Sequence, residues 1–229
     1  AGALAASKLT VKVGHVEAGL RSYDKEMPEE INRVLADHVS DLLFAPTEVA
    51  KRNLLREGVE ESRIFVTGNT VVDAVIQNLP LARNVELPLD AVQDGKYFLV
   101  TLHRQENVDR PDRLKKILEG LNLVAKEFHL PIIFPIHPRT RNRIEKLHAR
   151  LSDEIRLIEP LGYLAFLKLL SRARLVLTDS GGVQEEACIL RIPTVTLGFN
   201  TERPETLHVG SNILAGVEPD SILEKTRIM

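Results

Sequence analysis

The sequence predicts an α/β fold with parallel sheets, and three observations lead to this prediction. Eight short apolar runs recur along the 229 residues, and the segments between them have helical periodicity. The runs are mostly apolar on both faces, as strands buried between two helical layers are. Titratable residues gather directly after the runs. Strand–helix–strand alternation of this kind implies parallel sheets with right-handed crossovers.

Eight segments qualify as strands because they are short, apolar and bounded by polar or turn-forming residues. We expect the first three to form one sheet and the last five to form another. In chain order they are Val11–Val16, Leu42–Ala45, Ile64–Thr67, Tyr97–Leu102, Ile132–Ile136, Ile155–Ile158, Leu175–Thr178 and Thr194–Leu197.

Three of the intervening helices are indicated by residues at their ends or by apolar periodicity. Glu29–His38 begins directly after a proline, which suits the first turn of a helix. Glu48–Glu57 has Thr47 before it and Gly58 after it, a capping residue and a stop. The third helix, Asp112–Phe128, places five apolar side chains on one face: Leu114, Ile117, Leu118, Leu121 and Val124.

The alternation of strand and helix patterns is interrupted at residues 79–95, where Pro80 and Pro88 disturb the periodicity. We therefore expect a partial N-terminal Rossmann-like domain at 1–78, a connection at 79–95 and a C-terminal Rossmann-like domain at 96–229. The chain begins with AGALAASKLT and ends with SILEKTRIM, both within helical patterns. The first domain is thus expected to lack its beginning and the second its end.

Composition narrows the class of protein. The chain is 44% hydrophobic and 27% charged with a net charge of −2, so it offers no basic surface for nucleic acid. No apolar run reaches the length of a membrane span, and the N-terminus does not resemble a signal peptide. The single cysteine, Cys188, fits a reducing compartment. We expect a cytoplasmic protein without nucleic-acid or membrane partners.

Charged and titratable residues follow several predicted strands, at the edge where doubly wound sheets bind ligands. Because four of five such exits carry histidine or arginine, we expect them to line one side of each sheet. The five exits read GHVEAGLR from Gly14, HRQEN from His103, HPR from His137, DSGG from Asp179 and NTERPE from Asn200.

The stretch LTDSGGVQEEA places Ser180, Gly181 and Gly182 between a strand and the start of a helix. One interpretation is a tight turn followed by a solvated helix face. The other is a phosphate site, because free amides and the helix dipole attract an anion and glycines allow close approach. In the second case Glu186, one turn into the helix, would bind ribose hydroxyls.

The remaining polar residues are each open to two interpretations. His103 is either an acid, base or phosphate ligand, or a structural histidine. Glu17 lies in a loop whose glycines suggest that the backbone is pressed against something. Glu29 and Arg33 have the spacing of a helical ion pair, and Arg203 suits either a phosphate clamp or a loop salt bridge. No metal-binding spacing, GxGxxG or Walker motif is present, so we expect no metal.

Taken together, six segments resemble the non-hydrolysing UDP-N-acetylglucosamine 2-epimerases in order and spacing over nearly the whole chain. The segments are GHVEAGLRS, MPEEINR, TGNTVVDA, TLHRQEN, LTDSGGVQEEA and TERPE. The resemblance implies two Rossmann-like domains, as in the glycosyltransferase-B fold, with the UDP-sugar in an interdomain cleft. It also implies interconversion of UDP-GlcNAc and UDP-ManNAc through loss and re-addition of UDP, with no cofactor, in a homodimer that serves cell-envelope polysaccharide synthesis.

The resemblance assigns roles residue by residue. The catalytic positions correspond to Glu17, Glu29, Arg33 and His103. The UDP-binding positions correspond to Phe166, Ser180, Gly181, Gly182, Glu186 and Arg203. Two further residues, Arg104 and His137, match positions that contact a second, regulatory UDP-GlcNAc in some bacterial members.

Three other functions share parts of this pattern. A UDP-sugar glycosyltransferase would share the nucleotide half but would not need the set of Glu17, Glu29, Arg33 and His103. A hydrolysing epimerase would release free ManNAc and UDP. A non-catalytic nucleotide-sugar-binding fragment is the third, because the family's catalytic aspartate, in a Gly-Asp-Thr segment, has no counterpart in these residues.

Overall fold

The structure is a computed structural model that describes residues 1–25, 27–87 and 93–229. The chain divides into two compact units, Ala1–Asp73 and Ala74–Met229. Both contain parallel sheets alternating with helices, so the predicted α/β class is confirmed. None of the described helices is both long and apolar enough to cross a membrane.

Unit 1 contains a three-stranded parallel sheet in the order β1-β2-β3. Its helix α3 covers one face of the sheet and encloses a small core around Leu43, Leu54 and Ile64. On the opposite face Val16 and Phe65 are about half exposed, at 54% and 46%. The elements are α1 (Gly2–Lys8), β1 (Gly14–Val16), α2 (Pro28–Val39), β2 (Leu42–Ala45), α3 (Glu48–Arg56), a 3₁₀ turn (Glu61–Arg63) and β3 (Ile64–Val66).

Helix α4 (Thr70–Arg83) follows and passes through Pro80. Residues 79–83, which the sequence assigns to the connection, are therefore helical. Beyond the helix, Lys168 Nζ donates hydrogen bonds to the carbonyl oxygens of Arg83 at 3.1 Å and Val85 at 2.5 Å, which fixes this part of the predicted connection on unit 2. Residues 88–92 of the predicted connection, including Pro88, lie outside the described residues.

Unit 2 contains a six-stranded parallel sheet in the order β6-β5-β4-β7-β8-β9. The order reverses between β4 and β7, which makes that junction the switch point of a Rossmann-type sheet. The elements are β4 (Phe98–Thr101), α5 (Gln105–Val108), α6 (Pro111–Phe128), β5 (Ile132–Pro135), α7 (Pro138–Lys146), β6 (Ile155–Ile158), α8 (Tyr163–Ser171), β7 (Leu175–Thr178), α9 (Gly181–Ile189), β8 (Thr194–Thr196), α10 (Pro204–His208), β9 (Asn212–Leu214) and α11 (Pro219–Ile228).

The large sheet is buried on both faces, as its apolar strands predict. On one face Phe98 and Val100 pack in a core that includes α6 and α11, and on the other Tyr97 and Leu99 pack in a core that includes α8. Helices α6 and α11 approach closely at Gly120, where a Cβ atom would lie 2.8 Å from a side-chain carbon of Ile222. A rigid, covered sheet therefore holds the loops at its carboxyl edge.

The predicted strands and helices are confirmed to within one residue at their ends, with two larger differences. The first strand begins at Gly14 and not at Val11, because the amide of Val11 donates a hydrogen bond to the Ala6 carbonyl and so ends helix α1. The second sheet has six strands and not five, since the three-residue strand β9 was not predicted. The Rossmann strand order could not be obtained from periodicity alone.

Candidate functional site

The loop after β1 holds Glu17 in an uncommon backbone conformation. Glu17 has φ of +64°, in the left-handed region, and Gly19 has φ of +83°. A Cβ atom on Gly19 would lie 2.8 Å from the carbonyl carbon of Ala50, so the loop backbone is pressed against helix α3. This confirms the close approach that the glycines predicted. Left-handed backbone at a residue other than glycine costs roughly 1–2 kcal/mol and needs surrounding contacts to persist.

Those contacts come from Asp37, a fully buried residue of helix α2. Its carboxylate accepts hydrogen bonds from His15 Nδ1 at 2.5 Å, from the Gly19 amide at 3.1 Å and from Arg21 Nη1 at 2.7 Å. One carboxylate thus fixes both sides of Glu17. Asp37 is not among the predicted site residues, because it lies off the apolar side of helix α2, where the sequence pattern alone predicts exposure to solvent.

Arg21 is buried with its charge fully compensated. It donates to both oxygens of Glu57, at 2.7 and 2.6 Å, in addition to Asp37. Burial lowers the pKa of Arg21, but the hydrogen bonds to Glu57 and Asp37 outweigh it, and the net pKa is raised. Arg21 is therefore a fixed cation that ties the Glu17 loop to the end of helix α3.

The first turn of helix α2 presents Glu29 to solvent and buries Glu30. The Glu30 carboxylate accepts from the amides of Ser22 and Tyr23, both at 2.9 Å. Arg33 Nη1 donates to Glu30 at 3.0 Å, so the ion pair of Arg33 is made at i, i+3. The predicted pairing of Arg33 with Glu29 is wrong, because Glu30 is the carboxylate fixed by the preceding loop.

In unit 2, His103 and Arg104 follow strand β4 at the switch point of the sheet. Next to them, directly after β7, lies Asp179, which is only 2% exposed. Asp179 accepts from the amides of His103 at 3.1 Å and Arg104 at 2.9 Å, and from Asn107 Nδ2 at 3.2 Å. His103 Nδ1 lies 3.2 Å from the same carboxylate. The hydrogen bond to Asp179 raises the pKa of His103.

Arg104 and His137, the two predicted regulatory residues, both have structural contacts. Arg104 Nη2 donates to the two carboxylate oxygens of Glu202, each at 2.7 Å. The pKa of Arg104 is lowered by burial but raised on balance by Glu202. His137 caps helix α7, where its Nδ1 accepts from the Arg139 amide at 3.2 Å. Their regulatory role stays a prediction.

The predicted nucleotide-binding turn lies at the start of helix α9. Ser180 is the N-cap residue, and its hydroxyl accepts a long hydrogen bond of 3.5 Å from the Val183 amide. A Cβ atom on Gly181 would collide with the carboxylate of Glu202, whereas the Cβ direction of Gly182 is almost open. The glycine at 181 thus admits a carboxylate of the protein beside the helix N-terminus, where a negative charge is favoured.

Helix α9 buries part of its acidic surface, unlike the solvated face that was one of the two interpretations. Glu185 pairs with Arg203 Nη1 at 3.0 Å, and Arg203 is 9% exposed. Burial raises the pKa of Glu186, and a hydrogen bond from Tyr163 partly offsets this. Phe166, also on α8, is half-buried against the core that contains Leu169. The phosphate and base contacts of Arg203 and Phe166 stay predictions.

Each predicted site residue of unit 2 lies in a segment that follows a strand or in helix α8 or α9. In unit 1, Glu17 follows β1, whereas Glu29 and Arg33 lie on helix α2. Among the residues that the structure describes, no group of three or more histidine, cysteine, aspartate or glutamate side chains is placed to hold a metal ion. The polar groups at these positions are carboxylates, a histidine with a raised pKa and buried arginines.

Parallel sheets with titratable residues beyond their carboxyl ends define an α/β protein of the Rossmann-like type. Residues 1–229 match the model of one family, described as UDP-N-acetylglucosamine 2-epimerase. The chain belongs to this family.

Similar proteins include a UDP-N-acetylglucosamine 2-epimerase of Methanocaldococcus jannaschii, 56% identical over 237 residues that cover 100% of this chain and 65% of that protein. A crystal structure of the enzyme from M. jannaschii, in complex with UDP-GlcNAc and UDP, aligns with a TM-score of 0.95 at 56% identity and covers 100% of this chain and 65% of that one. A UDP-2,3-diacetamido-2,3-dideoxy-D-glucuronate 2-epimerase of Pseudomonas aeruginosa is 47% identical over 99% of this chain and 63% of its own length. The chain thus spans about two thirds of the length of these relatives.

Proposed function

We propose that the protein interconverts UDP-N-acetylglucosamine and UDP-N-acetylmannosamine by inverting C2. The observation that carries the proposal is the coincidence of two arrangements in one member of the epimerase family. Unit 1 holds Glu17 in a constrained loop and exposes Glu29 on helix α2. Unit 2 places a histidine with a raised pKa against the buried Asp179 at the switch point of a Rossmann-type sheet.

The proposed reaction requires groups of these kinds. The C2 proton leaves to a base, its bonding pair forms a C1–C2 double bond, and the C1–O bond breaks with its electron pair retained by UDP. UDP then adds back to C1 of the 2-acetamidoglucal while C2 accepts a proton on the opposite face. The two proton transfers need carboxylates or a histidine near C2, and the departing diphosphate needs fixed positive charge.

The residues supply these roles as follows. Glu17 and Glu29 are carboxylates for the proton transfers at C2. Arg33 is held by Glu30 on the same helix, and His103 supplies positive charge. In unit 2 the amides at Gly181 and Gly182 bind phosphate oxygens, and Glu186 binds the ribose hydroxyls.

The test is incubation of UDP-GlcNAc with the natural polypeptide in deuterium oxide, followed by NMR, with the intact mass measured on the same sample. We expect UDP-ManNAc and deuterium at C2. Free ManNAc with UDP would instead indicate a hydrolysing epimerase, and turnover only with an added acceptor would indicate a glycosyltransferase. Binding without deuterium exchange would indicate a nucleotide-sugar-binding protein.

Matched variants refine the test. Glu17→Gln should lower turnover by roughly 10²–10⁴-fold, the usual contribution of an acid or base, with UDP affinity unchanged. Glu60→Gln, an exposed glutamate of the same unit, should leave both unchanged. Ser180→Ala together with Glu186→Gln should weaken UDP binding, and an unchanged UDP affinity would refute the nucleotide-turn assignment.

The substrate class has a second member to test. The P. aeruginosa relative is named for UDP-2,3-diacetamido-2,3-dideoxy-D-glucuronate, and it is nearly as similar to this chain as the epimerases named for UDP-GlcNAc. Both nucleotide sugars carry a 2-acetamido group, so the reaction at C2 is the same. Comparison of kcat/KM for the two substrates decides between them.

The assembly and setting of the protein are further parts of the proposal. We propose a cytoplasmic homodimer that serves cell-envelope polysaccharide synthesis. Exposed Ile31 and Leu35 on helix α2, at 49% and 45%, are apolar surface consistent with an interface. Sedimentation equilibrium should give twice the 25.6 kDa mass of this chain if it is tested alone.

A further inference from the structure

The residue Asp179 has no role in the chemistry above, although it is the most buried carboxylate near the predicted UDP site. It is 2% exposed and directly follows strand β7. Thr101 and Thr178 are paired in register on β4 and β7, so the two chain segments leave the sheet side by side. The sheet order makes this junction the switch point, where ligands of doubly wound folds bind.

The surroundings of Asp179 fix the carboxylate before any ligand is present. The amides of His103 and Arg104 and the side chain of Asn107 donate to it, at 3.1, 2.9 and 3.2 Å. Asn107 is itself anchored, because its Nδ2 also donates to the Leu197 carbonyl at 3.0 Å. A carboxylate with this many donors cannot rotate without breaking several hydrogen bonds.

The imidazole of His103 is in contact with this fixed carboxylate. Its Nδ1 lies 3.2 Å from Asp179 Oδ1, so Nδ1 carries the proton and donates it. The ring is about half exposed, with 53% of the side chain accessible. Nε2 makes no hydrogen bond within the described part of the chain and is accessible to a ligand.

We propose that Asp179 is the positioning residue of His103: it holds the ring with Nδ1–H toward the protein and Nε2 toward the substrate. This inference rests on the proposed function and specifies the role of His103 within it. Three charged groups act on the ring, of which Asp179 and Glu106 favour the imidazolium and Arg104 opposes it. On balance the pKa of His103 is raised.

The consequence for the reaction is a division of roles. In its imidazolium form, which Asp179 favours, His103 has no free lone pair and cannot take the C2 proton as a base. Its Nε2–H can donate a charge-assisted hydrogen bond to the diphosphate oxygen on which negative charge develops as the C1–O bond breaks. The proton transfers at C2 then belong to the carboxylates of unit 1, and His103 serves the leaving group.

The test measures His103 directly, without substrate. In ¹⁵N-histidine-labelled protein, NMR titration gives the pKa and tautomer of each of the seven histidines, and a His103→Gln variant assigns the signal. We expect a raised pKa for His103 in the wild type, with Nδ1 protonated at alkaline pH. Asp179→Asn should bring the pKa back toward its ordinary value. Asn107→Ala, which loosens the same loop but keeps the carboxylate, should leave it raised.

Activity supplies the second readout. At neutral pH, Asp179→Asn should weaken UDP binding by roughly tenfold, as expected when a charge-assisted hydrogen bond becomes a neutral one. It should also move the alkaline limb of the kcat profile to lower pH, which a purely structural substitution would not do.

The outcomes are separable. If Asp179→Asn does not fold, the pKa and tautomer of His103 in the wild type and in Asn107→Ala still decide whether Asp179 positions the ring. An ordinary pKa in the wild type, or Nε2 protonation of the neutral ring, would overturn the assignment. If His103 behaves as expected but no deuterium enters C2 of UDP-GlcNAc, the proposed function fails and the pairing of Asp179 with His103 stands.

Discussion

Replacement of Asp37 should unfold unit 1 locally, because this carboxylate is fully buried and joins three donors around Glu17. The Asp37→Ala variant loses the charged hydrogen bond from Arg21, worth about 1.5–3 kcal/mol, and the hydrogen bond from the Gly19 amide, worth about 1 kcal/mol. His15 can form a hydrogen bond with water instead, because 24% of its side chain is accessible, and Arg21 keeps its ion pair with Glu57. The expected loss is about 3 kcal/mol, near the lower end for breaking a buried ion pair.

The substitution Asp37→Asn keeps an acceptor oxygen for Gly19 and Arg21, so its cost should be smaller, about 1.5 kcal/mol. Hydrogen exchange read by mass spectrometry localises the effect. Peptides from helices α2 and α3 should lose roughly 150-fold protection in Asp37→Ala and roughly tenfold in Asp37→Asn. Peptides from α6 should not change. Less than threefold loss in Asp37→Ala, or an equal loss in the exposed control Glu60→Gln, would refute the reasoning.

Three further predictions concern single positions. Gly19→Ala should lower the free energy of unfolding of unit 1 by about 2–4 kcal/mol in urea, because its φ is +83° and a Cβ atom would contact the Ala50 carbonyl. The control Gly58→Ala, which has a similar φ of +84° but open space around it, should be less destabilising. Because the fold raises the pKa of His103, its contribution to stability is complete below the unfolded pKa of about 6.5 and is lost as pH rises through the folded pKa; His103→Gln should abolish this pH dependence in thermal melts. Because burial raises the pKa of Glu186, Glu186→Gln should raise the melting temperature at neutral pH while it weakens UDP binding; a lower melting temperature would contradict the desolvation argument.

The fold was largely predictable because its determinants are local. Buried strands such as Ile132–Pro135 are continuous apolar runs, and helix α6 has its apolar residues at helical spacing next to Pro111. The limits were also physical. Strand β9 has only three residues, too few to show a period. Helix α4 contains Pro80 and ends three residues later, so the proline did not mark the boundary of the helix.

The site was predictable where a residue is exposed and carries reactive chemistry, and it was not where a residue acts through others. Glu17, His103 and the glycines after Ser180 are visible as motifs beside strand ends. The roles of Asp37 and Asp179 are not visible, although Asp179 directly follows a strand. Each is a single acid whose role depends on donors that are distant in sequence: Asp179 accepts from the amide of His103, 76 positions away, and Asp37 accepts from the amide of Gly19, 18 positions away.

The two acids follow one physical rule that links sequence to function. A carboxylate is buried in a protein interior only when donors face it, and satisfying those donors fixes the loop that provides them. Asp37 fixes the loop of Glu17, and Asp179 fixes the loop of His103. In each unit, therefore, one buried carboxylate fixes the conformation of one reactive side chain. Neutralising either acid should disturb the reactive residue before it unfolds the sheet, because neither acid packs in the apolar cores.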